Sequence, residues 1–281
     1  MISCSSIEVR RCRPLLGTFV EITAIGSDET ALHRVAHQAF AEIKRIQDLM
    51  SVHDPESELS LLNLEAENRP VTVSRETFEV LRCASRLAVE SKGAFDFTVA
   101  PILARWGILP EVLQRENPGN WRNVLLLRGR QVRFLRPLAL DLGGIAKGFA
   151  VDKAIETLRR GGVMSAVVNA GGDLRVFGAP SFTVHLRHPS CPQILARTIA
   201  VQEAALATSS PCFTERRWGG RRVSHLVNPL RRSAVIGVVS VTVRARQCWL
   251  ADALTKVVLN APQLAQQLLA KYEAEAFMFT A

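Results

Sequence analysis

The stretch ALDLGGIAKGFAVDKA, residues 139–154, holds residues that could bind an anion. Asp141 lies in an apolar run, Gly143 and Gly144 break that run, and Lys147 falls where the apolar spacing predicts the first turn of a helix. Free backbone N–H groups and the positive end of the helix dipole attract anions there, and glycine lets a ligand approach the backbone. A Gly-Gly turn before a helix serves packing more often than binding, and the stretch matches neither a Walker loop nor GxGxxG.

A second glycine pair follows in MSAVVNAGGDLRVFG, residues 164–178. This segment is typical of two strands joined at a turn that Asn169 and Asp173 flank. On its own, the pattern indicates an ordinary hairpin.

Helices and strands alternate around these two motifs. A strand is predicted over 17–25, a hairpin over 123–135, and a closing strand over 274–280. Helical spacing predicts a helix over 28–50 with an Asp28 cap, another over 54–63 that starts at Asp54-Pro55, and a third over 74–91. Further helices are predicted from Ile145 to the Gly161-Gly162 pair and in the segments WLADALTKVVL and PQLAQQLLAKY.

Composition indicates a globular protein. With 281 residues, 48% of them hydrophobic, the chain can bury a substantial core in one large domain or two lobes. No apolar run is long enough to span a membrane, and the first residues, MISCSSIEVRRCRP, lack the apolar segment of a signal peptide. Six scattered cysteines, with no CxxC pair, favour reduced thiols over disulfides or a zinc site. These observations predict a cytoplasmic location.

The chain is basic, with a net charge of +9, which favours anionic partners. No helix-turn-helix, RRM-like or zinc-finger motif is present, and aromatic residues make up 6% of the chain. A solvated basic surface or a cleft for a phosphate-bearing small ligand therefore explains the charge better than nucleic-acid binding.

Taken in order, the motifs resemble those of the FAD:protein FMN transferases, the ApbE-type flavin transferases. The resemblance runs from about Leu16 to the C-terminus. It is carried by LLGTFVEI, LMSVHDPESELSLLN, GAFDFTVAPILARWGI, ALDLGGIAKGFAVDKAIETL, VVNAGGDLRVFG, ATSS, SHLVNP and SVTVRARQCWLADALT. Each block alone is weak, whereas eight in the family's order are specific.

The resemblance implies an α+β fold of two interleaved lobes with mixed sheets and a cofactor cleft between them. Residues 16–281 would form the flavin transferase domain, and residues 1–15 an N-terminal extension without a signal peptide. It further implies that the chain binds FAD with a magnesium ion on the diphosphate. FMN would then be transferred to a threonine hydroxyl of an acceptor protein, with release of AMP.

The resemblance also assigns roles to individual residues. His225 and Asp252 would be catalytic, since transfer from a diphosphate needs a base for the attacking hydroxyl and a cation for the phosphate charge. The Gly144 carbonyl and Asp252 would be metal ligands. His53 stands where the family often has an aromatic residue. The implied FAD contacts are Leu16, His53, Phe95, Asp96, Asp141, Lys147 and His225.

Two departures bear on the metal and on the His motif. The family usually has a metal-binding Thr or Ser four residues after the last carboxylate, but Lys256 stands there and Thr255 one step early. A charged ammonium cannot ligate magnesium, so Lys256 would pair with Asp252 or replace the ion at the diphosphate. In HLVNPLRRS, Asn228 replaces the usual Asp, a change that local turn chemistry tolerates.

Two other functions stay open on the sequence. Lys256 and the altered loop at 228–232 suggest an FAD-binding protein or an FAD pyrophosphatase without transferase activity. The basic charge suggests a polyanion-binding protein, which would bind with steep salt dependence and without flavin.

Overall fold

The computed structural model describes residues 6–191, 193–212 and 214–280. The helices are α1 (Glu29–Met50), α2 (Glu58–Glu65), α3 (Arg75–Glu90), α4 (Ala100–Arg105), α5 (Ala146–Arg160), α6 (Cys248–Asn260) and α7 (Pro262–Lys271). The strands are β1 (Ile7–Leu15), β2 (Thr18–Gly26), β3 (Val71–Thr72), β4 (Val124–Leu127), β5 (Gln131–Phe134), β6 (Ser165–Ala170), β7 (Asp173–Phe177), β8 (Phe182–Arg187), β9 (Leu195–Val201), β10 (Ala205–Ser209), β11 (Arg216–Trp218), β12 (Arg221–Val223), β13 (Val227–Asn228), β14 (Ser233–Ala234), β15 (Val239–Ala245) and β16 (Glu275–Thr280).

The main sheet has seven strands in the order β1-β2-β6-β7-β10-β15-β16. Helices α1, α5 and α6 pack side by side on it, α1 against β1 and β2, α5 against β6 and β7, and α6 against β10 and β15. A smaller sheet, β3-β5-β4, packs with α2 and α3, and both sheets contribute to one continuous apolar core. The α+β class is confirmed, but the strand pairings among the described residues are antiparallel where mixed sheets were expected.

Residues 7–15, expected as part of an extension, form strand β1 and pair with β2 along its whole length. The strand lies at the sheet edge with most side chains exposed, so its sequence lacks the apolar alternation that predicts strands. Pro14 is tolerated there because an edge strand leaves some N–H groups unpaired. Residues 1–5, including Cys4, and Ala281 lie outside the described residues.

Most predicted helices are confirmed, and α2 starts later than predicted. Asp28 caps α1 by accepting a hydrogen bond from the Ala31 N–H at 3.1 Å. The predicted start of α2 at Asp54-Pro55 is wrong: the Ser57 hydroxyl caps the helix by accepting from the Ser60 N–H at 3.0 Å. Asp54 instead accepts from the Glu56 N–H in a turn before the helix.

Helices α5 and α6 approach closely at Gly148. A Cβ added there would lie 2.4 Å from the Cys248 carbonyl oxygen and 2.7 Å from the Trp249 backbone nitrogen. Both atoms belong to the backbone, so no side-chain rotation can relieve the contact.

We therefore expect Gly148→Ala to lower the free energy of unfolding by about 1–3 kcal/mol, because the two helices must move apart. Urea denaturation measures this loss. Gly26→Ala is the matched control, since its added methyl would meet the flexible end of the Leu32 side chain at 3.1 Å. Equal denaturation midpoints for the two variants would contradict the close helix contact.

Candidate functional site

A cavity of about 730 Å³ opens where the loops between these elements converge. Cavities of this size hold cofactors and small ligands. Every predicted site residue except Asp252 lines it, namely Leu16, His53, Phe95, Asp96, Asp141, Gly144, Lys147 and His225. Positions spread over most of the chain therefore meet at one cavity.

Asp141, Gly143 and Gly144 form the turn that leads into α5, as the sequence predicts. The Asp141 carboxylate accepts a hydrogen bond from the Gly143 N–H at 2.9 Å. The backbone N–H of Asp141 donates to the Phe97 carbonyl at 2.9 Å. Burial raises the pKa of Asp141, an effect that the Gly143 N–H, His225 and Lys256 oppose. The carboxylate is thus held at the wall of the cavity beside the N-terminus of α5.

Lys147 lies in the first turn of α5 and pairs with Asp173, the acid at the start of β7. The Asp173 side chain is 2% exposed and that of Lys147 is 35% exposed, so the ammonium reaches the cavity while its partner lies beneath. Burial lowers the pKa of Lys147, but Asp173 and Asp252 outweigh it and the net shift is upward. Lys147 therefore stays charged.

Asp252 does not line the cavity, because Lys256 lies over it. Its carboxylate pairs with the Lys256 ammonium and accepts a hydrogen bond from the Gly148 N–H at 3.4 Å. The Asp252 side chain is 1% exposed and that of Lys256 is 17% exposed. Burial raises the pKa of Asp252, but the charges of Lys256 and Lys147 lower it by a larger amount. The net shift is downward, so the acid is ionised.

Phe95 and Asp96 lie on the loop before α4. The ring of Phe95 is buried at the cavity wall, and the Asp96 carboxylate accepts from the Thr98 N–H at 2.8 Å and from its hydroxyl at 2.7 Å. Burial raises the pKa of Asp96, and the two bonds from Thr98 oppose the rise.

His225 lies at the rim of the cavity between Ser224 and β13. The buried Ser224 hydroxyl fixes the loop by donating to the Val235 carbonyl at 2.6 Å. Partial burial and Arg216 lower the pKa of His225, while Asp141 raises it to a smaller extent. A histidine with a lowered pKa is neutral near pH 7 and can accept a proton.

His53 and Leu16 lie on two further loops at the cavity. His53 is exposed and follows the end of α1. Leu16 has a positive φ of 55° in the turn between β1 and β2, and its N–H donates to the Gln47 side-chain oxygen at 2.6 Å. That bond fixes the turn against α1.

Several residues that shape the site were not predicted from the sequence. Asn260, at the end of α6, donates to the carbonyls of Ala94 and Val227 and so ties the Phe95 loop to the His225 loop. The sequence predicts Asp173 as a turn residue, and no neighbouring residue indicates its pairing with Lys147. Asn228 accepts from the Arg231 N–H at 3.0 Å, which confirms that the turn tolerates Asn in place of Asp.

The described residues do not fit a magnesium site. Within residues 6–191, 193–212 and 214–280, no cluster of three or more His, Cys, Asp or Glu could hold a metal ion. The Asp252 carboxylate is occupied by Lys256, and the Thr255 hydroxyl is buried against Ser209 at 2.7 Å and donates to the Asp252 carbonyl. Magnesium is usually bound through one or two carboxylates together with substrate phosphates and water, and the carboxylate expected here, that of Asp252, is already paired with Lys256.

Comparison with known proteins identifies the family of this chain. Residues 16–278 match the ApbE family. The chain is 29% identical over 265 residues to the FAD:protein FMN transferase of Vibrio cholerae, covering 88% of this chain and 79% of that protein. It is 28% identical to the FAD:protein FMN transferase of Klebsiella pneumoniae, covering 76% of this chain and 70% of that one.

A solved structure shares the fold. The crystal structure of the ApbE protein from Thermotoga maritima superposes with a TM-score of 0.83 at 27% identity, covering 98% of this chain and 94% of that one. Since the family match spans nearly the whole chain, from the turn after β1 into β16, this protein belongs to the ApbE family.

Proposed function

We propose that this protein transfers FMN from FAD to a threonine hydroxyl of an acceptor protein and releases AMP. The main support is that one cavity brings together Lys147 at a helix start, the apolar side chains of Phe95 and Leu16, and His225 at the rim. The relatives named as FAD:protein FMN transferases support the same reaction.

The residues divide into two groups within the cavity. Lys147, in the first turn of α5, is placed to bind phosphate oxygens near the positive end of the helix dipole. Phe95 and Leu16 offer apolar surface for the flavin, and Asp96 and His53 lie on the loops beside them. Asp252 acts as a positioning residue, because its carboxylate holds Lys256 and the Gly148 N–H without reaching the cavity.

His225 is the proposed base for the transfer step. It takes the proton from the threonine hydroxyl as the oxygen attacks the phosphorus of the FMN half of FAD. The bond from that phosphorus to the bridging oxygen breaks, and AMP leaves with the bridging oxygen and its electron pair. Lys147 stabilises the negative charge that develops on the phosphate oxygens.

The magnesium ion implied by the family resemblance takes no part in this proposal. Its expected ligands, Gly144 and Asp252, lie beside the Lys256 ammonium rather than around a free site. The described part of the chain contains no helix able to cross a bilayer. The cytoplasmic location stays a prediction.

The test is to incubate the purified protein with FAD and a threonine-containing acceptor domain. We expect the acceptor to gain the mass of FMN less one water on threonine, with one AMP released per FMN attached, as followed by mass spectrometry and nucleotide chromatography. An acceptor in which that threonine is replaced by valine is the control. Release of free FMN and AMP without a modified acceptor would contradict transfer and indicate FAD hydrolysis.

A further inference from the structure

We propose that the ammonium group of Lys256 replaces a divalent metal at the phosphates of the cofactor, so that this chain binds FAD without magnesium. The inference rests on the proposed function in one respect: FAD is the ligand of the cavity described above. Lys256 then takes the place of a magnesium ion that FAD binding does not require.

The position of Lys256 supports this role. Its side chain extends from α6 across Gly144, where an added Cβ would lie 3.4 Å from the Lys256 Cε. Its ammonium contacts the Asp252 carboxylate and donates to the Asp252 carbonyl at 3.1 Å. Lys256 also lines the same cavity as Lys147 and the turn into α5, where the phosphates are expected.

The local charge balance also opposes a divalent ion. Beneath this part of the cavity, the carboxylates of Asp173 and Asp252 are paired with the ammonium groups of Lys147 and Lys256. Each of these two carboxylates is already balanced by an ammonium group, which weakens the attraction of this pair of acids for a magnesium ion. An added ion would also lie close to the Lys256 ammonium, which would repel it.

The side chains expected to ligate a metal are engaged in other contacts. Asp252 is paired with Lys256, and the buried Thr255 hydroxyl bonds with Ser209 and with the Asp252 carbonyl. An ammonium has three donors and no lone pair, so Lys256 can bind phosphate oxygens directly but cannot ligate a metal. The ammonium groups of Lys147 and Lys256 would then donate charge-assisted hydrogen bonds to the diphosphate without an ion.

The test is the dissociation constant of FAD, measured by flavin fluorescence in EDTA and again in excess Mg²⁺. We expect the wild-type value to be the same in both conditions. Lys256→Met is expected to weaken FAD binding in EDTA by about 10-fold or more, since a hydrogen bond to a charged group is lost. Lys44→Met is the matched control, because Lys44 lies on α1, exposed and outside the cavity, and should leave FAD binding unchanged.

Two results would overturn the inference: wild-type binding of FAD that is lost in EDTA and restored by Mg²⁺, or a Lys256→Met variant that binds FAD as tightly as wild type in EDTA. The wild-type comparison needs no variant and so does not depend on whether Lys256→Met folds. Isothermal titration of Mg²⁺ into the wild-type protein without FAD gives a second measurement, with no binding expected. FAD binding without a metal but without transfer to an acceptor would contradict the proposed function and leave this inference standing.

Discussion

Replacing Asp152 by alanine is expected to lower the free energy of unfolding by about 3–5 kcal/mol, because a buried charged pair loses one partner. Asp152 lies on α5 and is 2% exposed. Its carboxylate accepts hydrogen bonds from the N–H groups of Cys248 and Trp249, at 2.9 and 3.0 Å, and from the Arg175 guanidinium at 2.7 Å. It therefore caps α6, which lacks a side-chain cap from its own N-cap residue, Gln247.

Asp48→Ala is the matched control for this prediction. Asp48 is paired with Lys44 on α1, but both side chains are exposed, at 48% and 61%. Exposed pairs of this kind contribute little, so the control should cost less than about 1 kcal/mol. Urea denaturation followed by circular dichroism compares the two variants. If both lose the same small amount of stability, Asp152 does not hold α5, β7 and α6 together.

Replacing His225 by glutamine is expected to lower the rate of FMN transfer by about 10²–10⁴-fold, the usual contribution of a general base. FAD binding should stay close to wild type, because in the proposed complex Lys147 and Lys256 hold the phosphates. His185→Gln is the matched control: His185 lies on β8, bonded to the Thr198 hydroxyl and outside the cavity. A full transfer rate in the His225 variant would show that another group takes the proton.

The pH dependence of transfer provides an independent test of His225. The base must be neutral, and its pKa lies below the usual 6.5 because of partial burial and Arg216. The value of kcat/KM should therefore fall as the pH drops through this lowered pKa, at pH values below 6.5. We expect this acidic limb to be absent from the residual activity of His225→Gln. A limb that persists unchanged in the variant would assign it to another group.

The elements with long, regular apolar spacing could be predicted from the sequence. Helices α1, α3, α5 and α7 bury one face against the core, and that face repeats along the chain, whereas α6 is buried on nearly all sides. Strand β1 could not be predicted, because an exposed edge strand rich in arginine carries no such repeat. The start of α2 was missed since Asp54-Pro55 and Ser57 are both acceptable caps, and only tertiary packing selects between them.

The site was predicted through its glycine turn and through the family resemblance. Local spacing indicated an anion site at the start of α5, and the structure adds the partners that spacing cannot show. Asp173 lies 26 residues after Lys147, and Asp152 lies 96 residues before Cys248. Contacts over such distances depend on the order of strands in the sheet and on helix packing, neither of which a single sequence reveals. The Lys256 pair with Asp252 could be predicted, because residues four apart share a helix face.

In the proposed complex, the ammonium groups of Lys147 and Lys256 together hold the diphosphate of FAD at one end of the cavity. A crystal structure of the protein with FAD, grown in the presence of EDTA, tests this arrangement most directly. We predict phosphate oxygens within hydrogen-bonding distance of both ammonium groups, with the flavin phosphate facing His225. FAD bound elsewhere, or bound here with its phosphates turned away from both lysines, would contradict the account.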